Sequence, residues 1–241
     1  MDNQNSVGVV VVSAGKGSRM GTRESKQYLL MDDKPIVIHT LEVFDRMPLV
    51  REIVLVTGAE DIERCAGWID RYGLRKVAKI VPGGKERQQS VYKGLLEIST
   101  EWVMVHDGVR PFVEPERIEA CHQKALLTGA AVLAVPVKDT IKWVSGSGMI
   151  EGTPDRRSLW AIHTPQAFRL SDLKKAHELA EADGFVGTDD SMLVERMGIP
   201  VAVVEGSYTN IKITTPEDLE YAAFMLKRRE RRVDDTSRTR I

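Results

Sequence analysis

The residues best suited to chemistry lie near the start of the chain, in a glycine-rich loop that carries positive charge. A valine-rich run, 8–12, precedes Gly15, Gly17 and Gly21. The loop and the segment after it bring three cationic side chains: Lys16, Arg19 and Lys26. Because glycine has no side chain and tolerates positive φ, such a loop lets backbone N–H groups approach a polyphosphate. The pattern predicts a site for nucleotide phosphates.

The glycine spacing separates this loop from two common nucleotide-binding motifs. Met20 stands where the dinucleotide pattern G-x-G-x-x-G needs a glycine, and no G-K-[S/T] closes the loop as in a P-loop. The observed G-x-G-x-R-M-G, with a lysine five residues further on, resembles the signature of sugar-nucleotide pyrophosphorylases and cytidylyltransferases. Taken alone, the loop also fits an ordinary strand-to-helix turn with solvated basic residues.

Two further motifs stand where strands are predicted to end, which is where open α/β sheets bind their ligands. A Gly83-Gly84 turn, followed by Ser90, can lay backbone groups against the edge of a base. Asp107 closes a buried run within His-Asp-Gly-Val-Arg-Pro. A carboxylate there suits Mg²⁺, which takes one or two carboxylates together with phosphate oxygens and water. A single Asp at a strand end also commonly caps a helix.

Charged residues in the second half of the chain suit an anionic substrate. Arg156 lies in the block 153–160 and Lys212 in the block 209–219, each inside an otherwise structured stretch. Taken singly, each is more often a solvated surface charge. The sequence Thr188-Asp189-Asp190 suits a helix cap, and the alternative is that it lines the same pocket.

An alternation of strands and helices must position these motifs. Apolar runs predict strands at 8–13, 52–57, 77–81, 101–106, 130–136 and 200–205. Helical periodicity predicts helices at 35–46, 60–72, 86–98, 114–128, 171–182, 188–197 and 216–229. This alternation predicts an α/β fold, with a mainly parallel twisted sheet and helices on both faces.

The segment 137–160 breaks the alternation. Two short extended runs flank a glycine-serine turn, 145–148, which predicts a protruding β-hairpin. A two-stranded ribbon is only marginally stable alone, so it needs a surface to pack on. A second subunit is the favoured surface, and the hairpin's own domain is the alternative. We expect one domain over 1–229, with 137–160 as a dimerisation arm and 230–241 as a disordered tail.

Composition narrows the function classes. The 241 residues carry a formal net charge of −1, which does not favour nucleic-acid binding. Cys65 and Cys121 show no metal-ligand spacing and suit a reducing cytoplasm. No apolar run reaches the roughly 18 residues of a membrane span, and the polar start lacks a signal-peptide pattern. We expect a soluble cytoplasmic protein without a nucleic-acid or membrane partner.

In chain order, the motifs resemble those of one family over about 7–226. They are S-A-G-x-G-x-R-M-G, K-Q-Y, G-G-x-x-R-x-x-S-V, H-D-x-x-R-P, P-V-x-D-T-I-K, D-R-x-x-L-W-x-x-x-T-P-Q, T-D-D and N-I-K-I-T-x-P-E-D-L. The family is the 2-C-methyl-D-erythritol 4-phosphate cytidylyltransferases, which use CTP in the non-mevalonate isoprenoid route. Many nucleotidyltransferases share the first motif, whereas the D-R-x-x-L-W and P-V-x-D-T-I-K blocks are narrower.

The resemblance implies a nucleotide-diphospho-sugar transferase-like fold, the partners CTP and a sugar-alcohol phosphate, and a role for each site residue. It implies a homodimer in which the arm reaches into the neighbouring subunit, and Mg²⁺ held by Asp107. Catalytic roles fall to four residues, of which the last two also position the sugar phosphate: Arg19, Lys26, Arg156 and Lys212. CTP contacts fall to Ala14, Gly15, Gly17, Gly84, Arg87 and Ser90. Sugar-phosphate contacts fall to Arg110, Thr164 and Thr188.

Two departures and two alternatives accompany the resemblance. Ser13 stands where the family often has a small apolar residue, and Lys85 stands where some members carry an acid near the base. The nearest alternative is a ribitol-5-phosphate cytidylyltransferase, which shares the first loop and the H-D-x-V-R-P motif. The other is a nucleotide-binding module without catalysis, which the intact Arg19, Lys26 and Asp107 disfavour.

Overall fold

The fold is built on one seven-stranded sheet, seen in a computed structural model that describes residues 5–15 and 24–238. The described residues form eleven strands, which we number in chain order. From one edge of the sheet to the other, the seven strands are the eleventh, seventh, tenth, sixth, first, fourth and fifth. The strands are β1 (Val7–Val12), β2 (Leu30–Met31), β3 (Lys34–Pro35), β4 (Val50–Thr57), β5 (Val77–Pro82), β6 (Trp102–Asp107), β7 (Ala130–Pro136), β8 (Trp143–Val144), β9 (Ile150–Gly152), β10 (Trp160–Arg169) and β11 (Ala202–Glu205). Strands β2 with β3 and β8 with β9 form two separate ribbons.

Helices cover both faces of the sheet, as the alternation predicts. They are α1 (Ile36–Asp45), α2 (Ile62–Tyr72), α3 (Arg87–Leu96), α4 (Pro115–Thr128), α5 (Leu170–Ala182), α6 (Asp190–Arg196) and α7 (Pro216–Arg238). Side chains alternate along a strand, so β1 contributes Val9 and Val11 to one face and Val10 to the other. The first face packs on α1, α2 and α4, and the second on α3, α5 and α6. Within the described chain, no helix is long and apolar enough to cross a bilayer.

Strand β10 is the main element that the sequence does not predict. It lies between β6 and β7 and is antiparallel to both, while the other six strands run parallel to one another. Its register on β7 shifts between Ile162 and Gln166, at the position of Pro165. Proline cannot donate to a strand ladder and argues against an interior strand, which is why the pattern conceals this one. The irregularity lets Pro165 lie in the middle of the sheet.

The predicted hairpin is confirmed, with a shorter ladder than the sequence indicates. Trp143 pairs with Gly152 and Val144 with Ile150, around a turn in which the N–H of Gly148 donates to the carbonyl of Ser145. Trp160, the last residue of the expected arm, belongs instead to β10 in the main sheet. We call residues 137–159 the arm. Its described side chains are mostly exposed.

Two other boundaries differ from the prediction. Helix α7 continues to Arg238, so the backbone that we expected to be a disordered tail is helical up to that residue. The segment 227–238 lacks glycine and proline and is rich in arginine and lysine, which are good helix formers. The ribbon β2–β3 is also unpredicted. Asp32 and Asp33, at φ of 52° and 58°, form its two-residue turn, where a sequence search expects glycine or asparagine.

Candidate functional site

The candidate site lies at the carboxyl edge of the sheet, where the loops after β1, β5 and β6 meet. Val12 is in register with Asp107, and the N–H of Gly108 donates to the carbonyl of Val12 at 2.9 Å. A Cβ on Gly108 would lie 1.9 Å from Ser13 Oγ. A Cβ on Gly83 would lie 2.3 Å from the Cβ of Ala14. Both positions need glycine, because the side chains of Ser13 and Ala14 occupy the space that a Cβ would take.

These loops enclose a cavity of about 170 Å³. It collects most of the residues that the sequence singles out, from five separate parts of the chain. Four cationic and two anionic side chains are among its described lining, so the cavity suits a polyanion. The lining residues are Val12, Ser13, Ala14, Gly15, Lys26, Gln27, Gly84, Lys85, Glu86, Arg87, Ser90, Asp107, Val109 and Lys212.

Asp107 is the centre of the charges in this cavity. Its Oδ2 lies 2.9 Å from Lys212 Nζ and 3.3 Å from Arg110 Nε. Its Oδ1 lies 3.5 Å from Arg87 Nε. Asp107 itself is only 6 % exposed. Burial alone would raise the pKa of this carboxyl, but Arg87, Lys212 and Arg110 outweigh burial and hold the pKa well below its usual value.

Arg87 connects Asp107 to a second buried carboxylate. Its Nη1 donates to Asp190 Oδ2 at 2.8 Å, and His177 Nε2 lies 3.2 Å from the other oxygen of Asp190. Burial would lower the pKa of Arg87, but the two carboxylates outweigh burial and raise it. Arg87 is therefore a fixed cation on the cavity wall. We call Arg87, Asp107, Arg110, Asp190 and Lys212 the Asp107 cluster.

A layer of buried residues supports the cluster from behind the cavity. The backbone N–H of Asp107 donates to Thr164 Oγ1 at 3.0 Å, and Asn210 Nδ2 donates to the carbonyl of Thr164 at 2.8 Å. Arg110 Nη1 donates to the carbonyl of Asn210 at 2.7 Å. Thr164 and Arg110 are both buried and outside the described cavity lining. The structure therefore places these two predicted site residues as supports of Asp107.

Gln27 is a site residue that the sequence analysis did not single out. Its side-chain amide donates to the carbonyl of Ser13 at 2.7 Å and to that of Gly15 at 3.1 Å. It is only 3 % exposed. These bonds hold the start of the glycine loop against the segment that carries Lys26. The signal in the sequence that could have identified Gln27 is its position directly after Lys26, the predicted catalytic lysine, within K-Q-Y.

Two predicted sugar-phosphate residues lie outside the described cavity lining. Arg156 is exposed on the arm, and its Nη1 donates to the carbonyl of Lys138 at 2.5 Å. Thr188 is exposed before α6, with its hydroxyl 3.6 Å from Met192 Sδ. The neighbouring Asp189 caps α6 by accepting from the N–H of Met192 at 3.0 Å, which confirms the capping interpretation. Gly17 and Arg19 fall outside the described residues.

The two departures from the family pattern both lie on the cavity. The Ser13 hydroxyl is buried and finds no hydrogen-bond partner within 5–15 and 24–228. Lys85 is exposed on the rim, and its backbone N–H donates to Gln89 Oε1 at 3.0 Å. The next residue, Glu86, supplies an acid at the same wall. The Ser90 hydroxyl accepts from the N–H of Gly84 at 3.0 Å, which fixes the glycine turn.

The cluster fits a metal ion only together with a polyphosphate. Among the described residues, no three histidine, cysteine or carboxylate side chains come close enough to hold a metal by themselves. Asp107 is one carboxylate among three cations, which repel a bare divalent ion. Mg²⁺ is commonly bound through one carboxylate plus substrate phosphates and water, and Asp107 on the cavity wall meets that requirement.

Comparison with known proteins gives a family match over nearly the whole chain. Residues 7–228 match the family model described as IspD, 2-C-methyl-D-erythritol 4-phosphate cytidylyltransferase. A protein of that name from Alkaliphilus metalliredigens is 49 % identical over 227 residues, covering 93 % of this chain and 94 % of the relative. One from Halalkalibacterium halodurans is 48 % identical over 225 residues, covering 93 % and 98 %.

Solved structures give the same match in three dimensions. The crystal structure of the 4-diphosphocytidyl-2C-methyl-D-erythritol synthase from Anaerococcus prevotii superposes with a TM-score of 0.81. It is 31 % identical, with 92 % of this chain and 96 % of that chain covered. The 2-C-methyl-D-erythritol 4-phosphate cytidylyltransferase from Thermus thermophilus gives a TM-score of 0.76 at 31 % identity, covering 92 % and 99 %.

Proposed function

Since the chain belongs to the 2-C-methyl-D-erythritol 4-phosphate cytidylyltransferase family, we propose how its own residues carry out that activity. The enzyme joins CTP to 2-C-methyl-D-erythritol 4-phosphate and releases pyrophosphate, in isoprenoid precursor biosynthesis. One observation carries the assignment of residues to this reaction. The cavity at the carboxyl edge of the sheet gathers Lys26, Arg87, Asp107 and Lys212 from four parts of the chain.

The reaction needs charge neutralisation more than proton transfer. An oxygen of the sugar phosphate forms a bond to the α-phosphorus of CTP, and the bond from that phosphorus to the pyrophosphate oxygen breaks. A phosphate monoester has a second pKa near 6, so the nucleophile is already mostly ionised at neutral pH. No general base is required. The main barrier is the approach of two polyanions, which positioned cations lower.

Within the described cavity, Lys26, Arg87 and Lys212 supply that neutralisation. We assign Lys26 to the α-phosphate, where negative charge builds up in the transition state. Arg87 is held by two carboxylates and acts as a fixed cation beside the phosphates. Lys212 pairs with Asp107 and lies where it can exchange that carboxylate for substrate phosphate. Arg19, outside the described residues, keeps its proposed role beside Lys26.

Asp107 is the residue that we assign to Mg²⁺. The ion, when bound, would neutralise phosphate oxygens and polarise the α-phosphorus. Asp107 stays ionised because its cationic neighbours lower its pKa, so a carboxylate is ready at any physiological pH. Ala14, Gly15, Gly84 and Ser90, with Gly17 outside the described residues, are the proposed CTP contacts. All four described ones line the cavity.

The sugar-phosphate half of the site is proposed to form between two subunits. Arg156 lies on the arm and Thr188 before α6, and both are exposed. The arm presents apolar side chains to solvent, among them Trp143 at 62 % and Ile150 at 64 % exposure. We propose a homodimer in which the arm of one copy brings Arg156 to the cavity of the other. Thr164 and Arg110 then act behind Asp107 rather than on the sugar phosphate.

Two expectations remain, one about partners and one about the cellular compartment. Both substrates are small anions, so we propose neither a nucleic-acid nor a membrane partner. Free buried thiols at Cys65 and Cys121 fit a cytoplasmic enzyme.

Pyrophosphate release with CTP and Mg²⁺ tests the proposal. 2-C-methyl-D-erythritol 4-phosphate and ribitol 5-phosphate are run in parallel. We expect fast release with the first and little with the second. The opposite preference would assign the chain to ribitol phosphate, and tight CTP binding without release from either would indicate a binding module.

A further inference from the structure

Arg64, on α2, contacts the chain on both sides of Lys26. Its guanidinium makes a two-pronged ion pair with Glu24, with Nη1–Oε1 and Nη2–Oε2 distances of 3.0 and 2.8 Å. The same guanidinium lies over the ring of Tyr28, 5.0 Å from its centroid. Glu24 and Tyr28 are each two residues from Lys26. One side chain from a distant helix therefore holds both ends of the short segment that carries the lysine.

The position of Arg64 is itself fixed. Trp68, one turn further along α2, places its ring centroid 4.5 Å from the guanidinium, and the Tyr28 and Trp68 rings are 5.6 Å apart. Tyr28 is only 2 % exposed, and its hydroxyl hydrogen-bonds with Thr57 at the end of β4. Arg64 thus links the Lys26 segment to α2 and, through Tyr28, to the central sheet. Stacking and paired donation both exploit the flat guanidinium.

Lys26 lies in a segment with little regular secondary structure, which the side-chain contacts of Gln27, Tyr28 and Arg64 hold in place. Its own 3-10 turn, Lys26–Tyr28, has no side-chain cap, and β2 after it is only two residues long. A lysine side chain is flexible, so the reach of its ammonium depends on where the backbone is held. A displacement of about 1 Å at a catalytic group can cost about 100-fold in rate.

We propose that Arg64 is a positioning residue for Lys26. The contacts of Arg64 with Glu24 and Tyr28 determine where the ammonium group of Lys26 meets the nucleotide. The inference rests on the role assigned to Lys26 under the proposed function. It extends that role to a residue on α2, outside the described lining of the cavity.

A purely structural interpretation of the same contacts makes a different prediction. The side chains of Arg64 and Glu24 are 38 % and 40 % exposed, and ion pairs this exposed contribute little to global stability. If the pair served only stability, its loss would leave the rate almost unchanged. If it positions Lys26, the rate falls while stability hardly changes.

The chain contains a matched control. Arg196 is 39 % exposed, pairs with Asp183 at 2.7 Å and lies over the ring of Phe185, 4.7 Å from its centroid. Arg196 therefore combines an ion pair with a ring contact, as Arg64 does, but it lies outside the described lining of the cavity. The experiment measures kcat, KM for CTP and Tm for Arg64→Ala, Glu24→Gln, their double variant, Arg196→Ala and Lys26→Ala.

We expect Arg64→Ala to lower kcat by about 10- to 100-fold, with Tm and the KM for CTP nearly unchanged. Arg196→Ala stays within about twofold of the parent enzyme. The double variant is no slower than Arg64→Ala, because Glu24 acts through the same guanidinium. If Arg64→Ala does not fold, Glu24→Gln decides, since it removes the ion pair and leaves the ring contacts in place.

Two results would overturn the proposal: a kcat for Arg64→Ala that matches Arg196→Ala, or independent, additive losses in the double variant. The Lys26→Ala measurement separates this failure from that of the proposed function. Full activity in Lys26→Ala contradicts the role of the lysine itself. An inactive Lys26→Ala beside a fully active Arg64→Ala contradicts only the positioning.

Discussion

The charged side chains of the Asp107 cluster are largely buried, whereas those of the arm are exposed to solvent. In the cluster, Asp107 is 6 % exposed and has three cations within 3.5 Å. On the arm, Asp155 and Arg157 pair at 2.7 Å with side chains 56 % and 90 % exposed. The first arrangement is fixed by its surroundings before any substrate binds. The second is open to water, beside apolar side chains such as Trp143 and Ile150 that are more than half exposed in the single described chain.

The difference indicates how the enzyme divides its work. The cavity that we propose for the triphosphate is preorganised within one chain, because buried carboxylates hold Arg87, Arg110 and Lys212 in place. In one chain the apolar side chains of the arm are exposed to solvent, and the proposed second subunit supplies a surface for them to pack on. Substitutions in the two regions should therefore affect different properties of the enzyme.

The largest expected effect comes from removing the charge at the centre of the cluster. Asp107→Asn leaves Arg110 and Lys212 without their carboxylate and Arg87 with Asp190 alone, which we expect to cost about 3 kcal/mol of unfolding free energy. Asp155→Asn is the control on the arm and should change stability by less than about 0.5 kcal/mol. Urea unfolding measures both. Equal losses would contradict the distinction between a preorganised and an open region.

Lys26→Ala tests the same cavity without disturbing the cluster. We expect normal folding and a loss of turnover of about 10²- to 10³-fold, since a cation directed at developing charge is removed. Circular dichroism and pyrophosphate release measure the two properties. Near-normal turnover in a folded variant would remove Lys26 from the proposed mechanism.

Trp143→Asp tests the arm. Trp143 is 62 % exposed in the single chain, so a charge there costs little to the fold but would disrupt the proposed apolar contact between subunits. We expect the dimer Kd to rise by about 30-fold or more. Leu127→Asp, at 82 % exposure on α4, is the control and should leave association unchanged. Sedimentation of both variants gives the Kd. A Trp143→Asp enzyme that associates like the parent would argue that the arm does not dimerise.

Arg156→Ala has the smallest expected effect. Loss of one charge-assisted contact should raise the KM for 2-C-methyl-D-erythritol 4-phosphate by about tenfold, with the KM for CTP unchanged. Arg157→Ala, whose side chain pairs with Asp155 instead, is the neighbouring control. Initial rates with each substrate varied in turn measure both constants. A change confined to the KM for CTP would contradict the assignment.

Most of the sheet, and most of the residues that line the cavity, could be predicted from the sequence. Valine-rich runs mark β1 and β6, and in a parallel sheet their carboxyl ends meet at one edge. Ala14, Gly84 and Asp107 therefore had to lie close together once the fold class was known. Arg87 was predicted too, although its pairing with Asp190, about a hundred residues away in sequence, was not.

What the sequence could not show depends on contacts between distant segments. Strand β10 contains Pro165, which masks a strand pattern, so the support that Thr164 gives to Asp107 was invisible. Gln27 looks like any polar residue until its amide is seen to bridge the carbonyls of Ser13 and Gly15. The surface that the arm meets is not encoded in any local pattern, because it would belong to another copy of the chain.

Mixing two impaired variants tests most directly whether one chain's cavity and another chain's arm form the active site. Lys26→Ala and Arg156→Ala are co-expressed, purified as mixed dimers through two tags, and assayed with 2-C-methyl-D-erythritol 4-phosphate below its raised KM. In a mixed two-fold dimer, one cavity with Lys26 faces an arm with Arg156, so we predict about half of the parent activity per mixed dimer. Activity no greater than the mean of the two single-variant dimers would contradict a shared site and place Arg156 on its own chain's cavity.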